Sequence, residues 1–269
     1  SDGARLLRLG GGLVIAMLVL VPFADLSVTS RDPWQELGRM LAGMASPAPG
    51  ALESPLHALI LTIAFALWGT LLGALIGLPL ALVYSRSRLL RGICAGLRAV
   101  HELFWALLLL QVFGLSAATA LAAITIPYAA TFAKVYAEIL EQLPQAPLKA
   151  LPWASSRAMR FVYAELPMAW RRMASYTRYR FECGLRASVL LGFVGLPTLG
   201  FYLESAFREG RYAEAGALLW IFYLLIATLP WWGHRRVLPV LAIASLWWLG
   251  PWPDVSPTLL WRFISHDIW

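Results

Sequence analysis

From Leu56 to Tyr84 the chain carries no Asp, Glu, Lys or Arg. A helix needs about 20 apolar residues to cross the hydrocarbon core of a bilayer, and this run exceeds that length. In lipid the backbone must satisfy its own hydrogen bonds, so only helices and closed barrels span. Barrel strands alternate apolar and polar residues, whereas this run is continuously apolar, which selects the helix. The remainder agrees: 59% of the 269 residues are hydrophobic and 14% are charged. Soluble domains carry roughly a quarter charged residues, so the sequence reads as an all-α integral membrane protein. Within the run, Gly69, Gly73 and Gly77 recur every fourth residue, on one helix face where another helix can approach closely.

The formal net charge of +7 is not a nucleic-acid signature here. The basic residues cluster in short loops between apolar runs, the pattern left by retention of Lys and Arg on the cytoplasmic side. Arg5 and Arg8 precede an apolar first span, Gly11 to Val28, with no small-x-small site after it, which we read as uncleaved. A polar stretch with Arg31, Asp32 and Pro33 leads into WQELGRMLAGM, expected as an interfacial helix. The second span ends at the loop SRSRLLR, whose Arg86, Arg88 and Arg91 place it inside. A third span is expected over Ala95 to Phe113 and a fourth over Ala117 to Leu140, joined by the tight turn Gly114 to Ser116. Glu141 to Arg172 is too polar to span and is broken by Pro144, Pro147 and Pro152, so short helices at the inner surface are expected. A fifth span then covers about Met168 to Val194, and a sixth Ala213 to Trp232, closed by the basic His234-Arg235-Arg236. Val237 to Gly250 is either a short seventh span or a surface segment. This gives six or seven spans in three parts: an N-terminal span with an outer segment (1–55), a core (56–232) holding the inner loop 141–172, and a C-terminal hydrophobic segment and tail (233–269). No linker or soluble domain is apparent.

The sequence contains no GxxxxGK[ST] loop to cradle a nucleotide, no HExxH pair and no GxSxG elbow. Its four histidines, His57, His101, His234 and His266, lack metal-ligand spacing. Cys94 and Cys183 lie in or near apolar segments and read as buried thiols. An intramembrane enzyme stays open but has no motif behind it. A transport component, whether an importer subunit or a stand-alone anion channel, is the better expectation, because charge placed inside a span marks an ion or substrate pathway. That charge is concentrated in SYTRYRFECGLRASVLLGFVG, Ser175 to Gly195. Arg178, Glu182 and Arg186 are four apart and share one stripe of a helix, while Arg180 points elsewhere. One reading is an i,i+4 ladder in which Glu182 bridges two arginines as scaffold. The other, which we favour, is a positively biased lining for an anion. Lys134 with Glu138 and Arg98 with Glu102, also four apart, are expected to form local ion pairs.

Several segments together resemble a known family. KALPWASSRAMRFVYAELP, Lys149 to Pro167, resembles the EAA loop of ABC importer permeases: Ala150 and Leu166-Pro167 match, Lys149 stands where Glu is usual, and Ala154 or Ser155 lies near the place of the usual Gly. LTIAFALWGTLLGALIGLPLALVYSRSR and FAKVYAEILEQL resemble helices of the phosphonate-type members. SYTRYRFECGLRASVLLGFVG is similar to their most distinctive stretch. The resemblance covers roughly Leu56 to Trp232. It departs at Leu196-Pro197-Thr198-Leu199-Gly200, where those permeases usually show Ala-Gly-Gly-Ile-Gly. The resemblance implies a type I ABC importer permease fold and a phosphonate, phosphite or phosphate-like cargo. It implies a permease homodimer or heterodimer in a bacterial cytoplasmic (inner) membrane, two ATP-binding subunits that hold ATP and Mg, and a periplasmic or lipid-anchored binding protein. In that reading this chain is not an enzyme and carries no cofactor. Lys149, Ala150, Leu151, Trp153, Ala154, Ser155 and Ser156 would contact the ATPase, and Arg178, Arg180, Glu182 and Arg186 would line the path.

Overall fold

The structure, a computed structural model, describes residues 2–23, 32–49, 55–144, 156–233, 237–247, 249 and 265. Every regular element among them is helical. The chain divides into two compact units, Ser1–Leu41 and Ala42–Trp269. In the first, helix α1 (Asp2–Leu20) continues into a 3-10 turn, Val21–Phe23. Leu13, Val14, Ile15, Met17 and Leu18 follow one another around α1 and are all exposed, as suits a helix surrounded by lipid. The expected interfacial helix is α2, Pro33–Ala45.

The second unit is organised by α3 (Pro55–Tyr84) and α6 (Ala117–Glu141), the two helices long and apolar enough to cross a membrane. A Cβ on Gly69 would lie 2.7 Å from Ile124 Cγ2; one on Gly73, 2.8 Å from Tyr128 Cβ; one on Gly77, 2.4 Å from Phe132 Cβ. Residues four apart on α3 meet residues four apart on α6, so i±4n ridges interlock. Because the numbers rise together, α3 and α6 run in the same direction. Helix Leu166–Leu190, here α8, runs the other way: Arg180 lies over Tyr128 and Tyr176 meets Phe132, so its numbers fall as those of α6 rise. It crosses α3 where a Cβ on Gly184 would lie 2.8 Å from Thr70 Oγ1. These directions agree with the order of spans expected from the basic loop at Arg86, Arg88 and Arg91 lying inside.

Several expected spans differ in the structure. The third is two helices, α4 (Arg88–Ala99) and α5 (Glu102–Phe113), bent by 93°. Val100 is extended, and His101 restarts the helix by accepting the Leu103 N–H at Nδ1, 3.2 Å. The break also undoes the expected Arg98–Glu102 pair. Arg98 Nε instead donates to Cys94 O at 3.2 Å, and Glu102 lies 3.6 Å from His101. Lys134 and Glu138, on the unbroken α6, do pair at 3.5 Å. Residues from Arg157 are not separate surface helices: α7 (Arg157–Arg160), a π turn (Phe161–Glu165) and α8 form one continuous run that includes Leu166-Pro167. The sixth span is α10 (Tyr212–Ala227) followed by the short α11 (Leu229–Trp232). Val237–Leu246, α12, is ten residues long, about 15 Å at helical rise, and is too short to span. It docks on α3, with Trp68 Nε1 donating to Ala242 O at 3.2 Å and Ser245 Oγ at 3.0 Å. By length and composition the described residues thus offer two crossing helices, or up to four if each bent pair is one span, against the six or seven expected.

The segment that departs from the family pattern closes the α8 rod. Gly195, at φ +97°, donates to Gly192 O while Leu196 N donates to Leu191 O, a Schellman-type stop that Pro197 reinforces. Helix α9 (Leu199–Arg208) then departs at 51°, its Leu199 N–H held by Thr62 Oγ1 of α3 at 3.0 Å.

Placing a side chain in the α3–α6 seam forces the two helices apart. Gly77→Val is expected to destabilise the protein by about 1–3 kcal/mol. Gly92→Ala, at a position with nothing within 4 Å, is expected to be neutral or slightly stabilising. Thermal unfolding of the two variants in detergent checks the contrast.

Candidate functional site

Helix α8 separates two kinds of charge. Tyr176, Arg180, Gly184 and Ser188 recur every fourth residue, and this face turns toward α3 and α6. Gly184 and Ser188 are buried there. Arg178, Glu182 and Arg186 occupy a different face. The Arg178 and Arg186 side chains are exposed, and Glu182 lies between them at 35% exposure. The predicted stripe therefore exists, on the side of α8 that this chain leaves uncovered. Charge facing lipid is costly, so such a face suits an aqueous path or a second subunit.

The expected bridging by Glu182 holds on one side only. Its carboxylate accepts from Arg186 Nη2 at 2.5 Å, while Arg178 makes no ion pair among the described residues. Arg178 and Glu182 instead line a groove of about 280 Å³ together with Ser175, Tyr179, Ile226, Leu229 and Pro230. A second depression, about 600 Å³, lies over Arg171, Arg172, Ser175, Tyr176 and Tyr179. Both border Ser175 and Tyr179, so together they line α8 from Arg171 to Glu182. Ser175 and Tyr179 were not picked out from the sequence. Their spacing to Glu182, seven and three residues, was the available signal, since it puts all three on one side of a helix.

Arg180 does not join the stripe. Its guanidinium lies over the Tyr128 ring, Cζ 3.9 Å from the centroid, and its buried Nε has no hydrogen-bond partner. Tyr128 is 1% exposed and sits opposite Gly73, so the close approach of α3 fixes the ring on which Arg180 rests. A desolvated cation over an aromatic face gains about 2 kcal/mol. Around this contact Phe132 meets Tyr176 edge-on at 5.7 Å, and the Tyr136 hydroxyl lies 2.6 Å from Thr177 Oγ1.

Of the residues expected at the ATPase contact, Lys149, Ala150, Leu151, Trp153, Ala154 and Ser155 lie outside the described residues. Ser156 is exposed, and its Oγ accepts the Met159 N–H at 3.2 Å, capping the start of the rod that carries the stripe. Among the described residues no group of three or more His, Cys, Asp or Glu could hold a metal ion, and Cys94 and Cys183 are free thiols. Gly69, Gly73 and Gly77 serve as packing positions.

No protein-family model matches the chain. A phosphite transport system permease protein, PtxC, from Stutzerimonas stutzeri is 28% identical over 196 residues, 69% of this chain and 71% of its own length. The phosphate-import permease protein PhnE of Mycolicibacterium smegmatis is 27% identical over 175 residues, 62% of this chain and 33% of its own length. Over more than half of its length the chain is similar to phosphite and phosphate transport permeases. A putative phosphite transport system permease protein, HtxC, also from Stutzerimonas stutzeri, is 26% identical over 65% of each chain. A crystal structure of an amino acid ABC transporter superposes with a TM-score of 0.54 at 18% identity, covering 80% of this chain and all of the other. The fold of this multi-pass membrane protein is accordingly that of an ABC transporter permease.

If Tyr128 holds Arg180 through its ring, the two are energetically coupled. A double-mutant cycle of Tyr128→Leu and Arg180→Met, read by thermal unfolding, is expected to show coupling of about 1–2 kcal/mol. Tyr128→Leu with Arg178→Met is expected to be additive.

Proposed function

We propose that the chain is the membrane-spanning subunit of an ATP-driven importer that carries a small phosphorus oxyanion, a phosphite, phosphonate or phosphate-like ion, into the cytoplasm. The observation that carries this reading is the uncovered charged face of α8, bearing Arg178 and Arg186 with one carboxylate between them, in a chain similar to a phosphite permease. Guanidinium forks match the paired oxygens of such anions. One carboxylate against two arginines leaves the stripe net positive, and Glu182 holds Arg186 in place while leaving Arg178 open to the groove.

The chain performs no chemistry in this account. ATP and Mg belong to two partner ATPases docked at the inner surface of a bacterial inner membrane. A binding protein delivers the anion outside, and a second permease, identical or related, faces the charged stripe. We place the coupling contact at Lys149–Ser156 and the transport core at residues 56–232, flanked by 1–55 and 233–269. Support for the coupling comes from the continuity of the helix. Ser156 caps a run that extends through the π turn to Val194, so motion at its base displaces Arg178, Glu182 and Arg186 as one body. A π turn within a helix often marks a functional site.

Arg178→Ala and Arg186→Ala are each expected to lower ATP-dependent uptake of the oxyanion by about 10- to 100-fold, the loss of a hydrogen bond to a charged group. Assembly with the ATPases is expected to survive, because both side chains are exposed. Uptake is read in proteoliposomes holding the whole complex, and co-purification reads assembly. Undiminished uptake assigns the stripe to scaffold. Anion flux through the chain alone makes it a channel.

A further inference from the structure

Helix α4 has three edges. Leu90, Cys94 and Leu97 pack on Leu80, Tyr84, Ala130 and Ala133 at the ends of α3 and α6. Arg91 and Arg98, seven apart, share a second edge with Arg88 one turn away, and Arg86 precedes the helix. Leu89 and Ile93 form the third edge, 75% and 50% exposed. Nothing lies within 4 Å of a Cβ built on Gly92 or Gly96, so the outer side of α4 is open along its length.

These edges are arranged for a membrane surface. Helix α5 is apolar and leaves at 93°, so when α5 follows the membrane normal, α4 lies in the membrane plane. Trp105 anchors the corner, its Nε1 donating to Leu97 O at 3.3 Å. The four arginines have no carboxylate partner among the described residues. Arg91 donates to Ser85 O and Arg98 to Cys94 O, and the nearby Glu141 is taken up by the Ser85 hydroxyl. Retention of basic residues inside requires only that they lie in the loop. It does not require three of them on one edge of a helix with exposed Leu and Ile on the opposite side. Such a basic amphipathic helix lies in the interface, held by apolar burial and by anionic headgroups.

We propose that α4 is an in-plane anchor that binds the phosphates of anionic phospholipids through Arg86, Arg88, Arg91 and Arg98, with Leu89 and Ile93 in the acyl layer. The occupant is a lipid and not a soluble anion, because an exposed apolar edge lies across the helix from the basic one. It is independent of the transported cargo.

The test places the full chain in vesicles of phosphatidylcholine with phosphatidylglycerol and compares retention of spin-labelled forms of the two lipids. The native chain is expected to prefer phosphatidylglycerol, and R86Q/R88Q/R91Q is expected to lose most of that preference, since each basic residue near an anionic surface contributes about fivefold. Inorganic phosphate at matched ionic strength is expected to leave the preference unchanged. An unaltered preference in the variant overturns the proposal, as does its loss to inorganic phosphate. Should the triple variant fail to fold, single cysteines decide. Ala95→Cys, on the basic edge, is expected to react with a membrane-impermeant maleimide, and Ile93→Cys to be protected in vesicles of the chain alone. Equal reactivity overturns the proposal, because it puts the apolar edge in water or under a soluble partner.

Discussion

The seam between α3 and α6 is the constraint on which the rest of the structure depends. Lipid tails are as apolar as leucine, so two apolar helices gain little from hydrophobic burial against each other and must associate through close packing. Gly69, Gly73 and Gly77 supply that closeness against Ile124, Tyr128 and Phe132. The same contacts fix direction. Because the seam runs in parallel, the chain must turn back between the two helices, and residues 85–116 do so through the right-angled α4–α5 corner. The seam also reaches the charged helix: Gly73 admits Tyr128, and Tyr128 receives Arg180.

That sequence of contacts separates packed charge from uncovered charge on α8. One arginine is spent on holding the helix against α6, and two are left on the uncovered face with a carboxylate that pairs with only one of them. The division follows from helical geometry. Residues 176, 180, 184 and 188 lie along one face, and 178, 182 and 186 lie two positions, or about 200°, away. A helix with mixed charge can therefore be both packed inside the protein and exposed to a polar path.

Much of this was legible in the sequence. The glycine spacing announced a packing face because close approach leaves only one residue type acceptable, and the charge stripe announced itself by its period. Less was legible where local spacing meets a break in the backbone. Arg98 and Glu102 have the spacing of an ion pair, yet the extended Val100 and the capping His101 put them on different helices. His101 as a cap carries little signal, since Ser, Thr, Asp and Asn are the usual choices. The role of Arg180 was illegible for another reason: its partner Tyr128 is 52 positions away, and no local pattern reports a contact between helices. The length of the spans was also overread, because apolar runs such as Tyr212–Trp232 conceal a break at Thr228.

We propose that the uncovered face of α8 serves an anion moved at the expense of ATP. The most direct test is accumulation by proteoliposomes containing this chain with the proposed ATPases and binding protein, offered phosphite or methylphosphonate in parallel with an amino acid. The expected result is concentrative uptake of the phosphorus oxyanion with ATP, none with ADP, and none of the amino acid. Accumulation of the amino acid instead, or anion entry that ignores ATP, contradicts the account.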